Sequence, residues 1–247
     1  MKLIAFDLDG TLAPSKSPLP ELMAEHLSML IEKLPVCVIS GGHVTQFEKQ
    51  LLSRLSPQVS LSNLHLMPTC GTRYLRYKEG KWETVYAHEL APAIKDAVID
   101  TLKVEAVALG LWEKDPIGNI IEDRGSQITF SALGQLAPED KKLAWDPSGS
   151  KRNALRNAVA AHFPNLEVRA GGSTSVDVTM KGIDKAYGMR KLSEYTGIAC
   201  EDMLFIGDRL DESGNDYPVI STGVKTRAVA DYKETLDVVK DLLAKIE

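Results

Sequence analysis

Two aspartates, one residue apart, follow a short apolar run. The run covers residues 3–6, Asp7 and Asp9 come directly after it, and Gly-Thr follows at positions 10 and 11. A buried strand over 3–6 brings both carboxylates to the carboxyl edge of its sheet, which is where open α/β sheets bind ligands. Oxygen ligands at that edge suit a hard cation such as Mg²⁺. One carboxylate is then available to attack phosphorus and the other to transfer protons.

A second strand-to-helix turn offers polar groups for a phosphate. Residues 35–39 form another apolar run, and Ser40, Gly41 and Gly42 follow it. A hydroxyl and two unhindered backbone amides at the start of a helix are typical of a phosphate cradle. Each motif alone is also typical of an ordinary turn with solvated polar groups. Their combination is what indicates a site.

The second half of the sequence supplies a cation and further carboxylates. Lys185 opens a helical pattern that continues to Tyr195. Residues 203–206 form another apolar run that ends in Gly-Asp, with the carboxylate at Asp208, and the acidic loop after it closes at Asp216. The sequence therefore predicts a further carboxylate at the carboxyl end of a strand.

The elements that must position these residues begin with a βαβ unit. Apolar side chains recur at helical spacing over residues 19–34, between the first two apolar runs. This pattern predicts an amphipathic helix that joins two parallel strands through a right-handed crossover. We therefore expect an α/β fold with a Rossmann-like, three-layer core and a parallel sheet.

The middle of the sequence predicts an α+β insert. Its expected elements, in chain order, are a helix over 87–115, strands over 118–123 and 126–133, a helix over 150–162, and strands over 166–170 and 173–180. Alternation in the last strand places Ser175 and Asp177 on the face opposite its apolar side chains. These elements make residues 87–181 an insert that separates residues 1–86 from residues 182–247.

Composition limits the possible functions. With 247 residues, 44% of them hydrophobic, the chain can bury a sizeable core. The net charge of −5 disfavours a nucleic-acid or anionic-membrane surface, which needs a basic face. No stretch approaches the roughly 20 apolar residues of a membrane span. We therefore expect neither nucleic acid nor a membrane among the partners.

Cysteine and histidine spacing gives no sign of a metal framework. The three cysteines, at 37, 70 and 200, are far apart and include no C-x-x-C pair. This pattern favours neither a disulfide framework nor a zinc site, and it predicts a reducing, cytoplasmic setting. The five histidines have no ligand spacing, so we expect them, His65 included, on the surface or on helix faces.

Taken in order, the motifs resemble those of the haloacid dehalogenase (HAD) superfamily of phosphoryl-transfer enzymes, and within it the phosphomannomutase family. The loop over 207–216 is similar to that family's GDK(x)₄GND, the run over 171–185 to its GGxxSxDVxxxGWDK, and residues 118–124 to its GxFIExR. Nearly the whole sequence can be laid along the family with few gaps. The resemblance implies a HAD core with an inserted cap of type IIB. On this basis we expect residues 1–86 and 182–247 to form the catalytic core, and residues 87–181 to form a cap that determines substrate specificity.

Motif order and resemblance together imply a mechanism. Asp7 is expected to attack the phosphate and form an aspartyl-phosphate, while Asp9 shuttles protons. Mg²⁺ is expected on the Asp7 carboxylate, the Asp9 main-chain carbonyl and Asp208, with support from Asp216. The expected reaction is Mg²⁺-dependent phosphoryl transfer.

The phosphorylated sugar needs further ligands. Ser40 and Lys185 are expected to bind the transferring phosphoryl group. The residues expected to hold the remainder of the substrate are Lys16, Gly41, Gly42, Arg124, Lys142, Ser175 and Asp177. The family uses a set of arginines for phosphate, and this sequence has Lys16, Gln135 and Lys142 at three of those positions. Lysine holds phosphate as a point charge and not as a two-pronged donor.

Three hypotheses remain at this stage. The leading one is a phosphohexomutase that interconverts hexose 6- and 1-phosphates, and its rival in the same class is a sugar-phosphate phosphatase. A catalytically inactive sugar-phosphate-binding regulator is the alternative from another class. This hypothesis is disfavoured because the sequence keeps every polar residue of the predicted cluster, whose burial costs free energy. These residues are Asp7, Asp9, Ser40, Lys185 and Asp208. The resemblance also implies a homodimer formed through the cap.

Overall fold

Two β-sheets and the helices packed against them make up the computed structural model, which describes residues 1–212 and 214–246. In chain order, the strands are β1 (Leu3–Phe6), β2 (Val36–Ile39), β3 (Leu64–Met67), β4 (Arg73–Lys78), β5 (Lys81–Ala87), β6 (Ile121–Asp123), β7 (Gln127–Ser131), β8 (Leu166–Ala170), β9 (Ser175–Met180), β10 (Met203–Gly207) and β11 (Lys225–Ala228). The helices are α1 (Glu21–Lys33), α2 (Val44–Gln50), α3 (Pro92–Ala108), α4 (Glu139–Trp145), α5 (Ser150–His162), α6 (Lys185–Thr196) and α7 (Tyr232–Ile246). Over the described residues, none of these helices qualifies as a membrane-spanning segment.

The larger sheet is parallel at its centre. Its strands lie in the order β11-β10-β1-β2-β3-β4-β5. The first five are parallel to one another, and the β4–β5 hairpin extends the sheet with antiparallel strands. β1 and β2 are buried along their whole length, which is why they are continuous apolar runs and do not alternate with polar residues. The predicted α/β class is confirmed.

Helices cover both faces of this sheet. Along β1, Ile4 and Phe6 pack into one core with side chains of α1, α2 and α7. Leu3 and Ala5 pack into a second core on the opposite face, with side chains of α6. Because successive side chains of a strand point to opposite faces, a single four-residue apolar strand contributes to both cores. This is the predicted three-layer arrangement.

The insert has an antiparallel sheet of its own, in the order β6-β7-β9-β8. Val178 of β9 packs in one hydrophobic core with Val98 of α3 and Val159 of α5. The alternate side chains of β9, Ser175 and Asp177, therefore lie on the other face of the sheet. That face is polar, as the alternation in the sequence predicts.

The chain divides into two units. One comprises Met1–Ala87 and Ile183–Glu247, and the other comprises His88–Gly182. Each contains its own hydrophobic core. The boundaries expected from the sequence lie one residue earlier at both junctions. The division of labour between a catalytic core and a specificity-determining cap stays a prediction.

The helix expected over 87–115 is shorter in the structure. β5 continues to Ala87, and α3 begins at Pro92, whose missing N–H suits the first position of a helix. The helix ends at Ala108, and Gly110 follows with a left-handed φ of 67°. Ile94, near the start of the helix, is 40% exposed. The side chains that α3 does bury are Val98, Leu102 and Ala106.

Three short elements have no counterpart in the expectation from sequence: β3, α4 and β11. β3 interrupts its apolar run with His65. α4 has only seven residues and none of them is buried, while all four residues of β11 are exposed. Hydrophobic periodicity cannot reveal α4 and β11, because the periodic signal comes from a buried face that they lack. β3 is buried throughout, but the polar His65 interrupts its apolar run.

His65 is buried in β3, and its expected surface position is wrong. It is 2% exposed, and its Nδ1 lies 2.6 Å from the Tyr74 hydroxyl. The two rings stack, and Arg76 stands opposite His65 on β4. Burial lowers the pKa of His65 from 6.5 to about 4, and the Arg76 charge adds to this effect. The histidine is therefore a neutral core residue.

We expect a loss of stability with falling pH that depends on His65. In the unfolded chain His65 binds a proton below about pH 6.5, but in the folded protein only near pH 4, so acidification across this window favours unfolding. Between these pH values the unfolding free energy of the wild type should fall by up to roughly 3 kcal/mol more than that of His65→Phe. Urea unfolding of both proteins at both pH values measures the difference. A difference that does not change with pH contradicts the assignment.

Candidate active site

Two neighbouring strands deliver the first carboxylates. Asp7 follows β1 and Asp208 follows β10, and these parallel strands are paired so that Phe6 stands beside Ile206. The Asp7 N–H donates to the Ile206 carbonyl at 3.0 Å, which continues the pairing one residue past the strand. Both aspartates therefore leave the sheet at its carboxyl edge, as the sequence predicts.

Lys185 is the cation of this cluster. It is the first residue of α6, and the preceding Asp184 caps the helix by accepting the Tyr187 N–H at 2.9 Å. The Lys185 side chain is fully buried, and its Nζ lies 2.5 Å from Oδ1 of Asp7 and 2.5 Å from Oδ1 of Asp216. The buried ammonium and the two carboxylates depend on one another, because each charge compensates for the hydration that the others lose on burial.

The third carboxylate, Asp208, is oriented by Thr11. The Thr11 hydroxyl donates to Asp208 Oδ1 at 3.1 Å and accepts the Asp208 N–H at 3.0 Å. Gly10 makes this approach possible: its φ is 89°, and a Cβ there would stand 2.5 Å from Asp208 Oδ2. Gly10 therefore leaves space for the Asp208 carboxylate, and Thr11 orients it.

The cluster carries more negative than positive charge. Carboxylate oxygens of Asp7, Asp208 and Asp216 lie within 4.8 Å of one another, and Lys185 is the buried cation that contacts two of them. Burial raises the pKa of Asp7; Lys185 opposes the shift and Asp216 adds to it. Burial and Asp216 also raise the pKa of Asp208. Burial would lower the pKa of Lys185, but Asp7 and Asp216 outweigh it and raise that pKa. The surplus of carboxylates makes this a candidate cation site.

Asp9 has a separate environment. Its carboxylate accepts the Nε2 donors of Gln46 and Gln50 and the main-chain N–H of Lys16. None of these donors belongs to the charged cluster around Asp7. Two aspartates one residue apart therefore have different surroundings, one charged and one made of neutral amides.

The Ser-Gly-Gly turn differs in part from a simple phosphate cradle. Ser40 is buried, and its Oγ accepts the Gly42 N–H at 3.2 Å. The Gly42 amide is therefore used within the turn, where it was expected to face the phosphate. A hydroxyl that accepts the N–H two residues ahead is a common way for serine to close a turn.

The candidate substrate ligands of the insert are tied to neighbouring residues. Arg124 follows β6 and donates through Nε and Nη2 to Oε2 of Glu122. Lys142 lies on α4 and donates through Nζ to the Gln135 carbonyl at 2.9 Å, and burial lowers its pKa. Ser175 and Asp177 lie on β9. Lys16 belongs to the other unit, and its φ of 55° is unusual for a residue with a side chain.

Several polar contacts around these residues were not expected from the sequence. Oδ1 of Asp177 accepts from Gln127 Nε2 at 2.9 Å and from Thr129 Oγ1 at 2.7 Å. In the other unit, Thr11, Gln46 and Gln50 contact the predicted acids. The glutamines stand four residues apart on α2, a spacing that puts them on one helix face. The spacing places the two glutamines on one face, but it does not say that this face meets Asp9.

The fold and the carboxylate cluster define a class of protein, the phosphotransferases of the HAD superfamily. Among solved structures, a C-terminally truncated IMP-nucleotidase of Plasmodium falciparum has a TM-score of 0.72 at 18% identity and covers 100% of this chain and 72% of that one. A haloacid dehalogenase-like hydrolase from Bacteroides thetaiotaomicron has a TM-score of 0.63 at 14% identity, with 98% and 99% covered. These similarities concern the fold.

Sequence comparison identifies the family. The family model described as eukaryotic phosphomannomutase matches residues 23–245, and the chain belongs to that family. The phosphomannomutase of Encephalitozoon cuniculi is 28% identical over 232 residues, which are 88% of this chain and 83% of that protein. Phosphomannomutase 1 of Homo sapiens is 24% identical over 227 residues, with 89% and 83% covered. The protein is accordingly an enzyme of the HAD phosphotransferase kind.

The buried position of Lys185 generates a stability prediction. Lys185→Met leaves two buried carboxylates without their cation, so we expect the unfolding free energy to fall by roughly 3–5 kcal/mol. Adding Asp216→Asn should restore part of the loss, because one uncompensated charge is then removed. The matched control is Lys191→Met on the same helix, whose ammonium pairs with Glu194 at the surface and should contribute little. Equal losses in the two single variants, measured by urea unfolding, would contradict the central role of Lys185.

Proposed function

We propose that this protein transfers a phosphoryl group on a phosphorylated hexose through an aspartyl-phosphate at Asp7, and that it acts as a phosphohexomutase interconverting hexose 6- and 1-phosphates. The observation that carries the proposal is the buried contact of Asp7 with Lys185, next to two further carboxylates. Membership of the eukaryotic phosphomannomutase family supports the choice of substrate class.

The chemistry assigned to Asp7 and Asp9 has two steps. In the first, an Asp7 oxygen forms a bond to phosphorus, the bond from phosphorus to the sugar oxygen breaks, and Asp9 gives that oxygen a proton. In the second, a free hydroxyl of a hexose monophosphate attacks phosphorus, its proton passes to Asp9, and the bond to Asp7 breaks, so that a hexose bisphosphate is the intermediate between the two isomers. Asp9 is protonated again and Asp7 is a carboxylate again, so the site returns to its initial state.

The carboxylate cluster fits Mg²⁺ as the cofactor. Asp7, Asp208 and Asp216 each offer a carboxylate oxygen, and hard oxygen donors are what Mg²⁺ prefers. The main-chain carbonyl of Asp9 is the further ligand we assign. When bound, the ion supplies neutralisation of the charge that the phosphate and carboxylates bring together. Thr11 orients Asp208 for this role in advance.

The remaining assignments divide between the two units. Ser40, the Gly41 amide and Lys185 are assigned to the transferring phosphoryl group. The residues assigned to the sugar and to its second phosphate are Lys16, Arg124, Lys142, Ser175 and Asp177. Asp177 suits a sugar hydroxyl, because Gln127 and Thr129 fix its Oδ1 and leave Oδ2 as a second acceptor.

A sugar-phosphate phosphatase is the second candidate, and the surroundings of Lys142 favour it. Its ammonium donates to the Gln135 carbonyl, and its lowered pKa reflects burial. Gln135 itself contributes no charge. A phosphate held mainly by Arg124 is bound less strongly than one held by several arginines, because there are fewer paired N–H donors. Weaker binding lets the intermediate leave and lets water reach the aspartyl-phosphate.

We also assign a homodimer through the insert and a cytoplasmic location. On α3 of the insert, Ile94, Val104 and Val107 are 40%, 64% and 58% exposed. Val104 and Val107 are three residues apart and so adjacent on the helix surface, and a contiguous exposed apolar patch marks a candidate interface. For the location, the support is that Cys37, Cys70 and Cys200 are free thiols, as suits a reducing compartment.

Replacing the two aspartates should separate their roles. Asp7→Asn should remove turnover below detection, because an amide cannot form the acyl-phosphate. Asp9→Asn should slow turnover by roughly 10²- to 10⁴-fold, the usual contribution of a proton-transferring group. The assay is phosphoryl transfer from a hexose phosphate with Mg²⁺ and with a chelator, and thermal unfolding of both variants shows whether lost turnover reflects lost folded protein. Activity in Asp7→Asn, or full activity with the chelator, would refute the mechanism.

The mutase and phosphatase hypotheses differ in the ratio of phosphate released to sugar isomerised. We expect isomerisation that added hexose bisphosphate stimulates, accompanied by measurable hydrolysis. Arg124→Ala should raise the proportion of hydrolysis, because the intermediate is then held less strongly. The matched control is Arg156→Ala on α5, whose guanidinium contacts Asn157 at the surface. If the wild type releases phosphate stoichiometrically and bisphosphate yields no isomerised sugar, the phosphatase candidate replaces the mutase.

A further inference from the structure

Asp9 is held by three N–H groups. Gln46 Nε2 donates to its Oδ2 at 2.7 Å, and the main-chain N–H of Lys16 donates to its Oδ1 at 2.7 Å. Gln50 Nε2 also donates to Oδ1, at 3.2 Å. All three donors are uncharged, so they fix the direction of the carboxylate without adding a counter-charge. Asp7, by contrast, contacts a buried ammonium.

The two glutamines differ in what else they hold. Gln50 is buried, and its Nε2 also donates to the Ser17 carbonyl at 2.7 Å. The main-chain carbonyl of Gln50 accepts the Leu19 N–H at 2.9 Å, so this residue also connects α2 to the segment before α1. Gln46 is half-buried, and its amide nitrogen donates to Asp9. A change at Gln46 is therefore the more selective way to alter the surroundings of Asp9.

Gly42 determines whether Gln46 can reach Asp9. A Cβ at Gly42 would overlap the Gln46 Oε1 atom, so a side chain there displaces the amide group. A Cβ at Gly41 would meet only Cys70 Sγ, at an ordinary 3.9 Å. The Gly42 N–H is already used by Ser40 Oγ. A side chain at position 42 would therefore require the Gln46 amide group to move from its present position.

We propose that Gln46 is a positioning residue for proton transfer by Asp9, and that Gly42 contributes by leaving space for the Gln46 amide. This inference rests on the proposed function, because the orientation of Asp9 matters only if Asp9 transfers protons. Gln46 does not touch the substrate in this role. It holds Oδ2 in one direction, so that the carboxylate need not be reoriented at the moment of transfer.

The test is a double-mutant cycle on phosphoryl transfer. Gln46→Met removes the donor at nearly constant length, and we expect kcat to fall roughly tenfold while KM changes by less than about twofold. In the Asp9→Asn background the same change should alter kcat by less than about twofold, because the residue that Gln46 positions no longer transfers protons. Equal losses in both backgrounds would overturn the proposal.

Two further variants separate donation from packing. Gln46→Glu keeps the size and polarity of the side chain but replaces the donor with an acceptor that faces the Asp9 carboxylate. It should lower kcat at least as much as Gln46→Met, and wild-type kcat in this variant would refute donation. Gly42→Ala alone should lower kcat as much as Gln46→Met does. In the Gln46→Met background the same change should lower kcat by less than about a further twofold. Additive losses would instead assign Gly42 to the phosphate.

Controls keep the outcomes distinct. Lys49→Met changes an exposed residue of the same helix and should leave kcat and KM unchanged. Thermal unfolding of every variant shows whether a loss of kcat reflects a loss of folded protein. If the wild type is active but Gln46→Met lowers kcat equally in the wild-type and Asp9→Asn backgrounds, only this inference is overturned. A wild type that transfers no phosphoryl group overturns the proposed function, and this inference with it.

Discussion

The buried ammonium of Lys185 between Asp7 and Asp216 is the constraint on which the rest of the site depends. Its carboxylate partners are separated from it by 178 and 31 positions in the sequence, yet both lie 2.5 Å from its Nζ. Burying an ion without a partner costs several kcal/mol, so the three groups can be buried only together. The position of β1 next to β10 and the start of α6 at Lys185 satisfy this requirement.

Asp7 and Asp9 both follow β1 at the carboxyl edge of the sheet, but they have different surroundings. Asp7 lies in a charged cluster where burial raises its pKa, whereas Asp9 accepts hydrogen bonds from neutral amides. A nucleophile benefits from a nearby cation, and a proton carrier benefits from fixed orientation. The strand end separates the two carboxylates, because β1 stops at Phe6 and the chain turns at Gly10. Their assigned roles follow from environment.

The sheet of the inserted unit has one buried face and one polar face. Its antiparallel sheet buries one face under α3 and α5 and presents polar side chains on the other, where Asp177 is oriented by residues of β7. Its cations are not arranged as an independent phosphate site, since Arg124 pairs with Glu122 and Lys142 donates to a main-chain carbonyl. On the proposed function, the balance between isomerisation and hydrolysis would depend on how readily Arg124 and Lys142 exchange these internal partners for a phosphate.

The sequence by itself determined the α/β class, the insert and the aspartates at strand ends, because apolar runs and their polar ends follow the period of the backbone. It did not reveal His65 as a core residue, the short elements β3, α4 and β11, or the true limits of α3. The burial of His65 depends on Tyr74 and Arg76 of the neighbouring strand, while α4 and β11 bury too little to give a periodic signal. The tertiary structure alone decided that Gln46 and Gln50 contact Asp9 and that Gly42 makes room for Gln46. Contacts between side chains across elements leave no periodic signal, so only the folded chain shows them.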